Sequence, residues 1–172
     1  MLESSTHRLR AIEPKDVPQL LAWENDASAW WLGASITPYS EAMMLKYATG
    51  DHDLYRDKQL RFMLDLKSSQ GWLTVGAIDI YDLDPRNQRA GLGVVVNREL
   101  RRQGHAKEGL SLLKGYAFSH LGLHQLYAEV PADHSASLEL FKNCGYVATE
   151  KRSEWVRKND KWLDVFLMQL IA

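Results

Sequence analysis

The chain has a single cysteine, Cys144, among its 172 residues. One thiol cannot close an internal disulfide, so a reduced setting is expected. An excess of charge is missing too: 21 Lys and Arg face 22 Asp and Glu, a formal net charge of −1. Binding to a phosphate backbone normally shows as a basic surplus, so nucleic acid is not expected as the main partner. No apolar run approaches the roughly 20 residues of a spanning helix. The start Met1-Leu2-Glu3-Ser4-Ser5 lacks the basic and apolar regions of a secretory signal, so a cytoplasmic protein without a membrane partner is expected. Metal is not expected either, since His105, His120, His124 and His134 follow no standard ligand spacing and have no cysteine cluster beside them.

The familiar phosphate-binding signatures are also absent. No Gly-Lys-Ser/Thr triplet occurs, which excludes a Walker-type loop. Gly91-Leu92-Gly93 opens like a dinucleotide fingerprint, but Val94-Val95-Val96 continues a strand where a helix should begin.

What is present is enough for one enzyme-sized core. With 45% hydrophobic and 25% charged residues and no repeat, linker or low-complexity tract, the sequence reads as a single domain over 1–172. Strands are predicted at 9–12, 60–66, 72–81, 90–97, 126–130, 147–156 and 162–170. Helices are predicted from Pro14 to about Asn25, from Pro38 through Tyr47, from Gly104 to about Leu121 and from Ser135 to Asn143. Helices interrupt a largely antiparallel set of strands, which points to an α/β (α+β) fold rather than a doubly wound sheet.

The stretch from Val94 to Ala106 carries most of the functional information. An apolar strand runs into Arg101-Arg102-Gln103-Gly104-His105-Ala106, which opens an amphipathic helix. Backbone N–H groups converge at such a helix start, the macrodipole is positive there, and a glycine lets a phosphate approach without a Cβ in the way. Arg98, Arg101, Arg102 and Lys107 add positive charge.

Together, Val94-Val95-Val96, Arg101-x-x-Gly104-x-Ala106 and Val130-x-x-x-His134-x-x-Ser137 ending in Gly145-Tyr146 resemble the GCN5-related N-acetyltransferases (GNAT). The runs Leu123-His124-Gln125-Leu126-Tyr127 and Trp162-x-Asp164-Val165 resemble the branches that acetylate ribosomal-protein N-termini and polyamines such as spermidine. The resemblance implies a mixed, mostly antiparallel twisted sheet flanked by helices, with parallel central strands that splay into a cleft for acetyl-CoA. It implies that residues 101–106 hold the pyrophosphate and that the backbone of Val94, Val95 and Val96 pairs with the pantetheine arm, one N–H facing the thioester oxygen. His134, in place of the usual asparagine, would hydrogen-bond the cofactor.

Two positions depart from the polyamine branch. Phe141 stands where that branch has a tyrosine facing the sulfur, and Gly91 where it has a glutamate. Ala128-Glu129-Val130 brings the chain nearer the N-terminal-amine branch. Direct transfer to a primary amine, of a protein N-terminus or of a small molecule or polyamine, is therefore expected; a non-catalytic acyl-CoA sensor or scaffold of the same fold is the other reading, and either is compatible with a homo-oligomer.

Candidate acids for the amine proton are Asp79, Glu129, Glu41 and Asp26. Asp79 interrupts the apolar alternation Ala77-Ile78-Asp79-Ile80-Tyr81, where a buried charge needs a polar cavity or a partner. It reads either as the catalytic acid or as part of an ion pair or solvent-facing strand, and Glu129 presents a similar case. Ser137 reads as a contact to the sulfur or as a helix cap. Trp23, Trp30 and Trp31 read as core or as a cleft lining that favours an apolar or cationic acceptor.

Overall fold

One seven-stranded sheet organises the described residues, 2–33 and 36–172, of this computed structural model. The elements in chain order are β1 (His7–Arg10), α1 (Val17–Glu24), α2 (Glu41–Ala48), α3 (Leu54–Asp57), β2 (Leu60–Ser68), β3 (Gly71–Asp84), β4 (Arg89–Val96), α4 (His105–Ser119), β5 (Gln125–Pro131), α5 (Ser135–Asn143), β6 (Val147–Lys158) and β7 (Lys161–Ile171). The sheet order is β1-β2-β3-β4-β5-β7-β6, with β4 and β5 parallel and the other neighbours antiparallel. This is the expected mixed, mostly antiparallel architecture.

The period-two pattern sorts side chains to two cores. Phe62, Leu64, Ile78, Ile80, Leu92, Leu126 and Ala128 pack with Leu110, Leu113, Ala117 and Phe141 of α4 and α5. On the opposite face Met63 and Ala77 pack with Val17, Leu20, Met44 and Ala48 of α1 and α2. Because β3 alternates, Asp79 and Tyr81 lie on the α1–α2 side.

Several boundaries differ from expectation. The first strand starts at His7 and ends at Arg10, because His7 and Leu9 face inward, whereas Ile12 packs beyond the strand with the α1–α2 core. The second helix begins at Glu41, where the Ser40 side chain accepts from the Met43 N–H. The short α3 is not foreshadowed by any apolar period; it rests on Asp53, which accepts from Tyr55 and Arg56. On β3 the register shifts between Tyr81 and Asp84, and Asp82 adopts φ +48°.

Arg10 joins the first strands to the entry of α1. Its guanidinium donates to both oxygens of Asp16 at 2.7 and 2.8 Å, to Asp65 Oδ2 at 2.8 Å and to Thr74 Oγ1 at 3.0 Å. Burial alone would raise the Asp16 carboxyl, but hydrogen bonds from Arg10 and the Glu13 N–H, with the nearby positive charge, outweigh it and hold the group below its ordinary value. Removing Asp16 leaves two hydrogen bonds of the largely buried Arg10 guanidinium unmade and Asp65 as its remaining counter-charge, so Asp16→Ala should cost about 3 kcal/mol in denaturant unfolding. A carboxyl lowered in the fold contributes stability above its unfolded pKa of about 3.9 and loses it as the pH falls through the folded value. The gap between wild type and Asp16→Asn should therefore be constant above about pH 5 and narrow below about pH 4.

Candidate active site

β4 and β5 pair only at Arg89–Gln125, Ala90–Leu126 and Gly91–Tyr127. Beyond that point β4 continues along β3 as far as Val96, and β5 continues along β7 as far as Pro131. The two strands therefore part, and the facing edges of residues 92–96 and 128–131 are not bonded to each other. Val94 packs against the α4–α5 core and Val95 against the α1–α2 core. The valine side chains are thus packing, while the free backbone edge faces the cleft.

At the vertex the Tyr81 ring lies directly over Gly91, where an added Cβ would overlap the ring. Tyr127 packs edge-on against Tyr81 with ring centroids 6.1 Å apart. Burial, with the neighbouring Tyr127 and Glu129, pushes the Tyr81 phenol well above its ordinary value, and a hydrogen bond from the Glu129 backbone N–H offsets part of the rise. Sequence reasoning missed Tyr81; its only trace was an aromatic ten residues before a glycine.

At its far end the cleft meets the loop into α4. Arg101 donates from Nε to the Val96 carbonyl at 3.1 Å, closing the strand exit. Arg102 and Gly104 are both left-handed, with φ +62° and +87°, and Gly104 caps α4. A Cβ built on Gly104 would meet no protein atom within 4 Å, so the space above this helix start is open. The α4 ladder begins with the Glu108 N–H to the Gly104 carbonyl, which leaves the N–H groups of His105, Ala106 and Lys107 without helical partners. These residues fit an anion such as a pyrophosphate. The His105 imidazole is turned inward and shares a 2.9 Å hydrogen bond with His7, so only its backbone can serve the loop.

His134 caps α5, its Nδ1 accepting from the Ser137 N–H at 3.2 Å. Ser137 therefore lies inside the helix, and the capping role that the sequence allowed it belongs to His134. Trp31 lies 6.3 Å from the His134 ring, and its own face carries the Lys158 ammonium at 3.8 Å. Lys158 is further held by Asp133 at 2.9 Å, tying the β6–β7 hairpin to the β5–α5 loop. Phe141 is buried edge-on against Tyr146, at a centroid distance of 5.0 Å.

The candidate acids separate clearly. Asp79 receives two hydrogen bonds from Arg61, at 2.6 and 3.0 Å, and Arg61 also reaches Glu24 at 2.5 Å. All three side chains are at least 79% buried. Glu129 is 38% exposed and uses one oxygen, at 2.6 Å, to hold Arg152. Asp26 is an exposed turn residue held by Ser28, whose hydrogen bonds lower its carboxyl, and Glu41 is exposed in the first turn of α2. Asp79 and Glu129 flank the vertex residues in sequence and register, whereas Asp26 and Glu41 lie on the α1–α2 segment. Among the described residues, no group of three or more His, Cys, Asp or Glu is placed to hold a metal, and no helix is long and apolar enough to cross a membrane.

The comparisons with known proteins agree with this geometry. Solved structures of spermidine N-acetyltransferase from Vibrio cholerae superpose at low identity, and so speak to the fold alone. The complex with CoA and spermine has a TM-score of 0.80 at 21% identity, covering 98% of this chain and 96% of that one. A dodecameric form has a TM-score of 0.78 at 21% identity, covering 98% and 95%. Among curated sequences, the uncharacterized N-acetyltransferase YoaA of Bacillus subtilis is 28% identical over 151 residues, covering 85% of this chain and 82% of the relative. The uncharacterized N-acetyltransferase p20 of Bacillus licheniformis is 22% identical, covering 95% and 91%. The model of the acetyltransferase (GNAT) domain matches residues 7–147, which span α1 and α2, the parted strands and the capped helix, and the chain belongs to that N-acetyltransferase family.

Proposed function

We propose that residues 1–172 act as one domain that transfers the acetyl group of acetyl-CoA directly to a primary amine, in the cytoplasm. One observation carries the reading: a parallel pair parts beyond Gly91 and leads into a glycine-capped helix with open space above it. Residues 101–106 would hold the pyrophosphate through backbone N–H groups. The free edge at Val94, Val95 and Val96 would pair with the pantetheine amides and present one N–H to the thioester oxygen as charge develops there. His134 and Ser137 would flank the cofactor from α5.

The chemistry needs little from side chains. An amine gives up a proton and attacks the thioester carbonyl, the C–N bond forms, and the C–S bond breaks to release a thiolate whose parent thiol has an ordinary pKa of about 8.5. Asp79 and Glu129 are the carboxylates on the acceptor side. Asp79 is engaged on both oxygens by Arg61, so it would add negative charge that draws a cationic amine rather than a free oxygen for the proton. Glu129 has the freer oxygen and is the group we assign to accepting the proton. Trp155 and Trp162, 55% and 59% exposed on the outer hairpin, are the surface we assign to self-association.

The non-catalytic alternative draws on Phe141, a buried ring with no hydroxyl, and on Gly91, which has no carboxylate. Thiol release and product mass with a panel of polyamines and peptide N-termini separate the two readings: an acetylated amine supports the enzyme, and acetyl-CoA binding without any release supports the sensor.

Gly104→Val should weaken acetyl-CoA binding at least tenfold, about 1.4 kcal/mol, because it strains a left-handed cap and fills the open space. Calorimetric titration of the folded variant reads this directly, and unchanged affinity would remove the cofactor assignment. Glu129→Gln should lower turnover by about 10²-fold with acetyl-CoA affinity retained. Asp79→Asn, by contrast, should mainly raise the KM for cationic amines; if it instead abolishes turnover while Glu129→Gln keeps it, the proton acceptor is Asp79.

A further inference from the structure

Tyr81 has no part in the roles assigned above. Its ring crosses the neighbouring strand at Gly91, the last residue of β4 that pairs with β5. That crossing needs position 91 to have no side chain, so the ring takes the space that any other residue there would fill. The ring carbon that bears its hydroxyl comes within 2.5 Å of where a Gly91 Cβ would stand, at the residue that pairs with Tyr127 of β5. The phenol is thus lodged where the two strands begin to part.

A thioester arm anchored at the α4 loop and laid along the free edge of β4 has its deepest point at that vertex. Among the described residues, none accepts the proton of this hydroxyl. We propose that the Tyr81 hydroxyl donates a hydrogen bond to the departing thiolate, supplying from β3 the contact that buried Phe141 cannot make. The inference rests on the acetyl-transfer reading given above.

The balance of the step is simple. The amine nitrogen forms the C–N bond and its proton passes to Glu129; the C–S electron pair stays on sulfur as thiolate. Tyr81 stabilises that charge by a charge-assisted hydrogen bond and keeps its own proton, since burial holds the phenol far above the thiol. The thiolate later takes a proton from water. A donor already in place where charge develops needs no reorganisation at the moment of reaction.

The test uses CoA itself, so it does not depend on finding the acceptor. Bound CoA is titrated by the ultraviolet absorbance of its thiolate in wild type, Tyr81→Phe and Gly91→Ala. Tyr81→Phe keeps the ring and removes the donor; Gly91→Ala keeps the donor and pushes the ring off the vertex. The wild-type complex should form thiolate at a pH about one unit lower than either variant, corresponding to about a tenfold difference in thiolate stabilisation. With an accepted amine, Tyr81→Phe should lose about tenfold in kcat at unchanged acetyl-CoA affinity. If CoA binds all three proteins and titrates identically, the Tyr81 role is overturned and acetyl transfer stands. If wild type does not bind CoA, both are overturned. A Gly91→Ala variant that fails to fold leaves Tyr81→Phe to decide, since that change retains the packing over Gly91.

Discussion

The parting of β4 from β5 is the constraint on which the rest of the molecule turns. Each strand is held on its outer side, β4 by β3 and β5 by β7, so the two cannot rejoin without breaking those ladders. Behind them the α4–α5 core fixes the even-numbered side chains Leu92, Leu126, Ala128 and Val130. In front, the Tyr81 ring over Gly91 stands as a wedge at the vertex. Backbone groups on the two inner edges therefore face an open gap, and unpaired N–H and C=O groups in a cleft invite a ligand that carries its own amides. The left-handed Gly104 places the α4 N-terminus at the mouth of the same gap, adding a positive dipole end to a row of free hydrogen-bonding groups.

The α1–α2 side is organised differently, by charges that the sheet holds away from water. Arg10 with Asp16, Asp65 and Thr74 locks the start of α1 to β1, β2 and β3, and Arg61 with Glu24 and Asp79 locks the end of α1 to the same sheet. Apolar contacts alone would hold α1 against the sheet with little control over its position along the strands. Ion pairs with two hydrogen bonds per guanidinium are directional, and desolvated ones are lost steeply when misaligned. The two guanidiniums thus fix α1 at both ends, and with it the turn at Trp30–Leu32 that leads toward α5. The position of α1 on the sheet is therefore set by the charge network more than by the small apolar core beneath it.

How much of this was legible in the sequence follows from the range of each interaction. The strand into the glycine-capped helix was readable because residues 94–106 contain the whole device: an apolar run, a turn that needs a left-handed residue, and an amphipathic helix. The alternation around Asp79 correctly marked a charge in need of a partner, but that partner, Arg61, lies 18 residues away on another strand, and no local pattern names it. The His7–His105 contact spans 98 residues and is invisible for the same reason. His134 as a cap was missed because histidine is a rare capping residue and Ser137 offered a more ordinary one. The short α3 escaped because its four residues have no period to detect; only the Asp53 cap announces it.

Tyr81 and Gly91 illustrate a further limit. Each looks unremarkable alone, an aromatic and a glycine in adjacent strands, and the register that sets them opposite each other emerges only when β3 and β4 pair. Their joint effect is to move a polar atom from one strand to the gap beside the next. On the proposed reading, the cofactor half of the cleft depends on backbone groups, which any sequence compatible with the strands will supply, whereas the acceptor half depends on side chains such as Glu24, Arg61, Asp79 and Glu129. A fold shared at 21% identity with a spermidine N-acetyltransferase is consistent with that division. The backbone half can persist while side chains drift, so differences in acceptor should be sought on the α1–α2 face and at the vertex, not along the loop that opens α4.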